Sequence, residues 1–143
     1  MDEDPRQAII RDYILKDPFA RRLGATVEAI APGYSRVSLE VTGEMVNFHG
    51  MTHGAVVFAL SDIAFAAASN SRGQTAVALN ASISFLKATK PGDQLVAEAR
   101  ELHASGPTAL YEITVTDRRT GELVASSQDM VYRKREWFVP ADS

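Results

Sequence analysis

The 143-residue chain has no cysteine, so a disulfide framework, a thiol nucleophile, an iron–sulfur cluster and a Cys-ligated zinc are all excluded. Positive charge is scarce as well. Fifteen Lys and Arg against eighteen Asp and Glu leave a net charge of −3, without the broad basic field that dominates nucleic-acid affinity. Three histidines with no cysteine beside them make a poor metal set, and no metal is expected. No apolar run reaches the length of about 20 residues that a bilayer requires. The opening MDEDPRQAII is acidic and lacks the positive-then-apolar order of a secretory signal, so the expectation is a soluble cytoplasmic protein. No internal repeat, low-complexity tract or linker interrupts the chain.

What is present is an ordinary globular composition, 45% hydrophobic and 23% charged, at a length suited to one domain over residues 1–143. Asp4–Pro5 and Asp17–Pro18 each read as an N-cap followed by a proline at the first helical position. They predict two short helices in an N-terminal segment of about residues 4–24, with Gly24 closing the second. Thr26–Ala31 and Tyr34–Val41 are strand-like around a Pro32–Gly33 turn. Residues 54–68 then read GAVVFALSDIAFAAA, apolar all round apart from Asp62, which predicts a buried helix. Four period-two stretches follow: Ala76–Phe85, Gln94–Leu102, Ala109–Asp117 and Leu123–Arg133. Their separators are short and rich in Gly and Pro, as antiparallel neighbours require. The fold class is therefore α+β, an antiparallel sheet wrapped around one long helix, with a core over about residues 25–133 and a loose tail over 136–143. Ser35, Ser38, Glu98, Glu112 and Thr114 suggest one wetter sheet face.

Chemistry concentrates in the loop Met45-Val46-Asn47-Phe48-His49-Gly50-Met51-Thr52-His53 that leads into the buried helix. A helix start carries unpaired N–H groups and partial positive charge, so Gly54 can present its amide to an oxygen becoming negative. Asn47 can orient a carbonyl or a water, or serve only as a turn residue. Asp62 is costly inside an apolar helix and needs a polar environment, either a functional one or a structural one such as Ser61 or a wet interface. His53 reads either as a chemical group or as a helix-start residue that caps, and His49 as a solvated loop residue or a site residue.

Spacing adds a constraint. Asp62 lies eight residues after Gly54, about 12 Å along one helix axis. Both groups can act on one carbonyl only if two chains contribute, with their helices antiparallel about a two-fold axis. A homodimer with shared sites follows.

The run Asn47-x-His49-Gly50-x-x-His53-Gly54, with Asp62 in the helix and the strand Ser82-Ile83-Ser84-Phe85-Leu86-Lys87, resembles the hotdog-fold acyl-CoA thioesterases of the phenylacetic acid degradation type over about residues 17–133. That resemblance implies dimers that often pair into tetramers, and hydrolysis of a thioester to a free acid and coenzyme A. It matches Asp62 to the catalytic carboxylate, Gly54 to the backbone donor, Asn47 to the polar loop residue and His53 to the preceding histidine. Some relatives hold the water with a Ser or Thr on the strand after the helix. Here that stretch is Ala76-Val77-Ala78-Leu79-Asn80, which leaves Asn80 or Ser82 as substitutes.

No cofactor is expected, coenzyme A being part of the substrate. Its phosphates would meet Lys87, Lys90, Arg118 or Arg119, or the Arg133–Arg135 run. Phe48, Phe58, Phe65 and Met45 are candidates for the acyl pocket. The resemblance favours a phenylacetyl or hydroxyphenylacetyl group. Medium-chain fatty acyl groups, a hotdog hydratase or dehydratase, and a non-catalytic acyl-CoA-binding dimer are the alternatives. Asp62 could activate water or attack directly to form an anhydride.

Overall fold

A computed structural model describes residues 3–141. The elements run α1 (Pro5–Ile14), α2 (Pro18–Leu23), β1 (Thr26–Ala31), β2 (Tyr34–Glu40), a 3-10 turn (Gly43–Met45), α3 (Gly54–Ser69), β3 (Gln74–Phe85), β4 (Gln94–Ser105), β5 (Thr108–Asp117) and β6 (Leu123–Trp137). Asp4 and Asp17 cap the two short helices through their carboxylates, each followed by proline, and Gly24 ends α2 at φ 89°.

The six strands form one antiparallel sheet in the order β1-β2-β4-β5-β6-β3. It curls around α3, as a lone apolar helix demands. The helix lies mainly over β2, β4 and β5, and less over β6 and β3. Val57, Leu60, Ala64, Phe65 and Ala68 pack with Val37, Leu39, Ala97, Tyr111, Ile113 and Val131 in one core. Phe65 meets Tyr111 edge-on, ring centroids 5.6 Å apart.

Hydroxyls grip the far half of α3. Ser35 donates to the Ala64 carbonyl at 2.5 Å and Ser71 to the Ala68 carbonyl at 2.6 Å, while the Tyr111 hydroxyl, whose proton goes to Glu101 at 2.9 Å, lies 3.4 Å from the same Ala68 oxygen. Ser35 is thus buried against the helix rather than on a wet face: it shares the inward parity of Val37 and Leu39.

Two further expectations are corrected. The helix is not enclosed all round in a single chain, because Ala55, Phe58, Asp62 and Ala66 form an open stripe along it. The segment 136–139 is not loose. Phe138 and Val139 donate to the Gly73 carbonyl, Phe138 stacks on Tyr13 at 4.6 Å, and Arg6 donates to the Val139 and Pro140 carbonyls. Gly73 (φ 88°) permits this closure, since a Cβ there would lie 3.0 Å from the Val139 carbonyl oxygen. Asp142 and Ser143, the end of the expected tail, lie outside the described residues.

Candidate active site

The loop before α3 is folded by its own polar groups. Asn47 Oδ1 accepts the N–H of His49 at 2.9 Å and of Met51 at 3.3 Å, while the Asn47 N–H and C=O bond Met51 and Gly50. The turn role is thereby occupied by Oδ1. None of the described residues bonds the Asn47 Nδ2, which remains a donor. Thr52 and the buried Thr89 join hydroxyl to hydroxyl at 2.7 Å and brace the loop against the segment after β3.

At the start of α3, His53 Nδ1 accepts the Ala55 N–H at 3.0 Å, and the His53 carbonyl accepts from Val56 and Val57. Three of the four first-turn amides are thus taken. The Gly54 N–H has no acceptor among the described residues, and it lies at the positive end of the helix. Gly54 packs under the Phe85 ring, 3.6 Å from where a Cβ would sit. Asn47, Thr52, Gly54, Phe85, Lys87 and Thr89 share a cleft of about 320 Å³.

Asp62 does not line that cleft. It sits two turns further on, in the open stripe of α3, with its carboxyl pushed above the ordinary range first by burial and then by the charge of Asp17. Asp17 was not among the sequence candidates; its carboxylate is fixed by capping α2 through the Phe19 and Ala20 amides. A larger cavity of about 520 Å³ opens beside the next turn of the same helix. Tyr13, Leu15, Ala20, Ile63, Ala66 and Phe138 are among the residues that line it, with Asp17 and Lys16 also present.

The aromatic candidates fall elsewhere. Phe65 is 2% exposed and belongs to the core, so it is corrected to a packing residue. Phe58 stands on the open stripe, and Phe48, 93% exposed, lies against the His49 ring at 4.3 Å. Met45 packs against the core. None of the four lines either cavity.

Asn80 and Ser82 are turned away from the helix. A bulge at Leu79 shifts the register, so that Ala78 opposes Val131 on the inner face while Asn80 and Ser82 oppose Met130 and Gln128 on the outer one. Both side chains therefore point away from α3 of their own chain.

Of the cations, Lys87 lines the Gly54 cleft and pairs with Glu122 at 2.7 Å. Lys90 pairs with Asp93, and Arg118 clasps both oxygens of Glu28 at 2.6 Å. The side chain of Arg119 makes no hydrogen bond or ion pair among the described residues. Lys90, Arg118 and Arg119 line neither cavity. Among the described residues no group of three His, Cys, Asp or Glu gathers as a metal site, and no helix is long and apolar enough to cross a membrane.

A sheet curled around one helix, with a polarised amide at the helix start and a perturbed carboxyl at mid-helix, defines the hotdog class of thioester-processing proteins. The model of the thioesterase superfamily matches residues 49–124, from the loop through β5 to the start of β6. Acyl-coenzyme A thioesterase PaaI of Escherichia coli K12 is 37% identical over 103 residues, 72% of this chain and 74% of that one. The solved structure of E. coli PaaI superposes with a TM-score of 0.88 at 30% identity, covering 92% of this chain and 96% of that chain. A Streptococcus mutans protein solved with acetyl CoA bound gives a TM-score of 0.73 at 30% identity, covering 77% and 88%. The chain belongs to the thioesterase superfamily. It is a thioester hydrolase built on the hotdog fold.

Proposed function

We propose that the chain hydrolyses acyl-CoA thioesters, with an aromatic acyl group as the preferred substrate, at sites shared between two copies. The observation that carries this reading is the unpaired Gly54 N–H at the start of α3, about 12 Å along the helix from Asp62. The thioester oxygen takes the Gly54 amide of one copy, where developing negative charge is stabilised, and the Asn47 Nδ2 of the same loop supports it. Asp62 of the other copy lies over the carbonyl carbon. Ionised, it removes a proton from water as the oxygen attacks; the C–S bond then breaks and the sulfur leaves as thiol. Direct attack by the carboxylate would instead pass through an anhydride.

His53 serves this scheme by holding the first turn. Its Nδ1 is occupied by the Ala55 N–H, as a capping side chain requires.

Two features support pairing. β3 ends the sheet as a twelve-residue edge with Val77 and Leu79 exposed and without the Lys or Pro that blunt such edges. The stripe of α3 carrying Phe58 and Asp62 is open next to it. A second copy joined antiparallel at β3 would cover both and bring the two helices side by side; pairs of such dimers would form the tetramer. The relatives named for acyl-CoA chemistry, one of them with acetyl CoA bound, support the coenzyme A moiety. Lys87 in the cleft is the cation best placed for a phosphate.

The aromatic preference rests on the larger cavity, whose Tyr13 and Phe138 rings stack on each other and whose wall includes Ala66, one turn beyond Asp62. An acyl ring entering there would find an apolar wall and an aromatic face.

The test is complementation. Asp62→Asn and Gly54→Pro chains are each expected to be inactive. Refolded together, their mixed dimers hold one intact site, and the mixture is expected to regain about a quarter of wild-type thiol release. No recovery from two folded, dimeric variants would remove the shared site.

A further inference from the structure

Lys87 is the one cation among the described residues that lines the cleft with the Gly54 amide, and its amine already has company. Two carboxylates flanking the β5–β6 turn hold it, Glu122 at 2.7 Å and Asp117 at 3.8 Å. They differ in freedom. Asp117 is buried, its Oδ1 accepts the Arg119 N–H at 3.0 Å, and its backbone bonds Gly121 and Glu122. The Glu122 side chain is 59% exposed and makes no ion pair except with Lys87 among the described residues. Asp117 is thus an anchor that keeps the amine at the rim of the cleft, and Glu122 is an anion that can swing into water.

The rim is also balanced in charge. In the segment between β3 and β4, Lys90 pairs with Asp93 at 3.1 Å. The Lys90 amide, and after it the Lys90 amine and the charge of Arg119, hold the Asp93 carboxyl below its ordinary range, which places Arg119 on the same rim. Lys87, Lys90 and Arg119 therefore face Asp93, Asp117 and Glu122, and no positive charge is in surplus. A phosphate arriving here gains little until one carboxylate withdraws. Glu122 is the one whose withdrawal breaks nothing else.

We propose that Glu122 is an internal competitor for a coenzyme A phosphate: it occupies the Lys87 amine in the free enzyme, yields it when acyl-CoA binds and takes it back as coenzyme A leaves. The proposal rests on the assignment of Lys87 to a phosphate in the reading above. A lysine amine is a compact charge with three rotatable donors, so one oxygen anion can replace another without moving the nitrogen. At this exposure the Lys87–Glu122 pair adds little to stability, and its exchange costs correspondingly little. Its consequence falls on affinity and release: phosphate-bearing thiols are held less tightly than Lys87 alone would hold them, and the product is not trapped.

The experiment compares phenylacetyl-CoA with S-phenylacetyl pantetheine, which has the same thioester and no phosphate, on wild type, Glu122→Gln, Lys87→Met and the double variant, with thermal melts to verify folding. Glu122→Gln is expected to raise kcat/KM for phenylacetyl-CoA about three- to fivefold at low ionic strength, with the gain fading as added salt screens the rim. Inhibition by coenzyme A is expected to tighten by a similar factor. The pantetheine thioester is expected to show neither change. Lys87→Met is expected to lower kcat/KM for phenylacetyl-CoA alone, and the gain from Glu122→Gln is expected to shrink in that background. A gain that is absent, that appears equally on the pantetheine thioester, or that persists in full without Lys87 overturns the competition while leaving Lys87 as the phosphate ligand. An unchanged kcat/KM in Lys87→Met would instead overturn the phosphate assignment itself. Should Lys87→Met not fold, the two thioesters on Glu122→Gln still decide.

Discussion

His53 Nδ1 takes the N–H of Ala55 at 3.0 Å and its carbonyl those of Val56 and Val57, which leaves Gly54 as the first-turn donor of α3 with no acceptor among the described residues. The histidine acts by subtraction: it removes the competing amide and leaves the one that faces the cleft with Asn47 and Phe85.

Gly54→Pro tests that donor with little other disturbance. Proline is tolerated at the first helical position, and His53, at φ −63° and ψ 136°, already has the extended backbone that precedes proline. The variant is expected to keep its melting temperature within a few degrees and to lose about 10²–10³-fold in kcat. Near-normal thiol release from the folded variant would free Gly54 of its role.

His53→Ala removes a cap and is expected to cost about 1 kcal/mol of stability, whereas His53→Asn, a good cap, is expected to keep both stability and most of the turnover. Urea denaturation with parallel rate measurements separates the two roles. Loss of turnover in a fully stable His53→Asn would mean that the imidazole itself takes part.

Activity is expected to fall on the acid side, with its midpoint above the ordinary carboxylate range, because Asp62 must be ionised and both burial and Asp17 resist ionisation. Asp17→Asn removes one of those two causes while preserving a capping side chain, so the midpoint is expected to move to lower pH. A pH–rate profile identical to wild type would place Asp17 outside the field felt by Asp62.

Stability runs in the opposite direction to activity. Asp62 has its pKa raised on folding, so its contribution is fully present below the unfolded value and is lost as pH rises through the folded one. Asp62→Asn is therefore expected to melt higher than wild type at neutral pH, with the gap closing in acid. Calorimetry at two pH values reads it, and an equal gap at both would contradict the linkage.

Tyr111→Phe probes the core without touching the reaction. The hydroxyl donates to Glu101 at 2.9 Å from a side chain 1% exposed, and its loss is expected to cost about 1 kcal/mol with kcat unchanged.

The elements were legible because their signals are local. Asp4–Pro5, Asp17–Pro18 and the period-two runs each state their own conformation, and the antiparallel order follows from the short turns between them. Asp62, Gly54 and Asn47 stood out for related reasons: a charge in an apolar helix, and polar groups crowded before a helix start. What depends on other strands was harder to read. One extra residue at Leu79 flips the parity of β3, sending Asn80 and Ser82 outward although alternation alone would keep them level with Ala78. Ser35 was misplaced by weighing its polarity above its parity with Val37. Hydropathy likewise marks α3 as apolar all round without saying which stripe its own sheet fails to cover.

The hydroxyls of Ser35 and Ser71 fasten α3 beyond Asp62, at the Ala64 and Ala68 carbonyls. Thr52 and Thr89 tie down the loop at its other end. The helix is thus moored on both sides of the acid, so ligands of different girth must be met by the side chains around it while the amide and the carboxyl keep a set spacing.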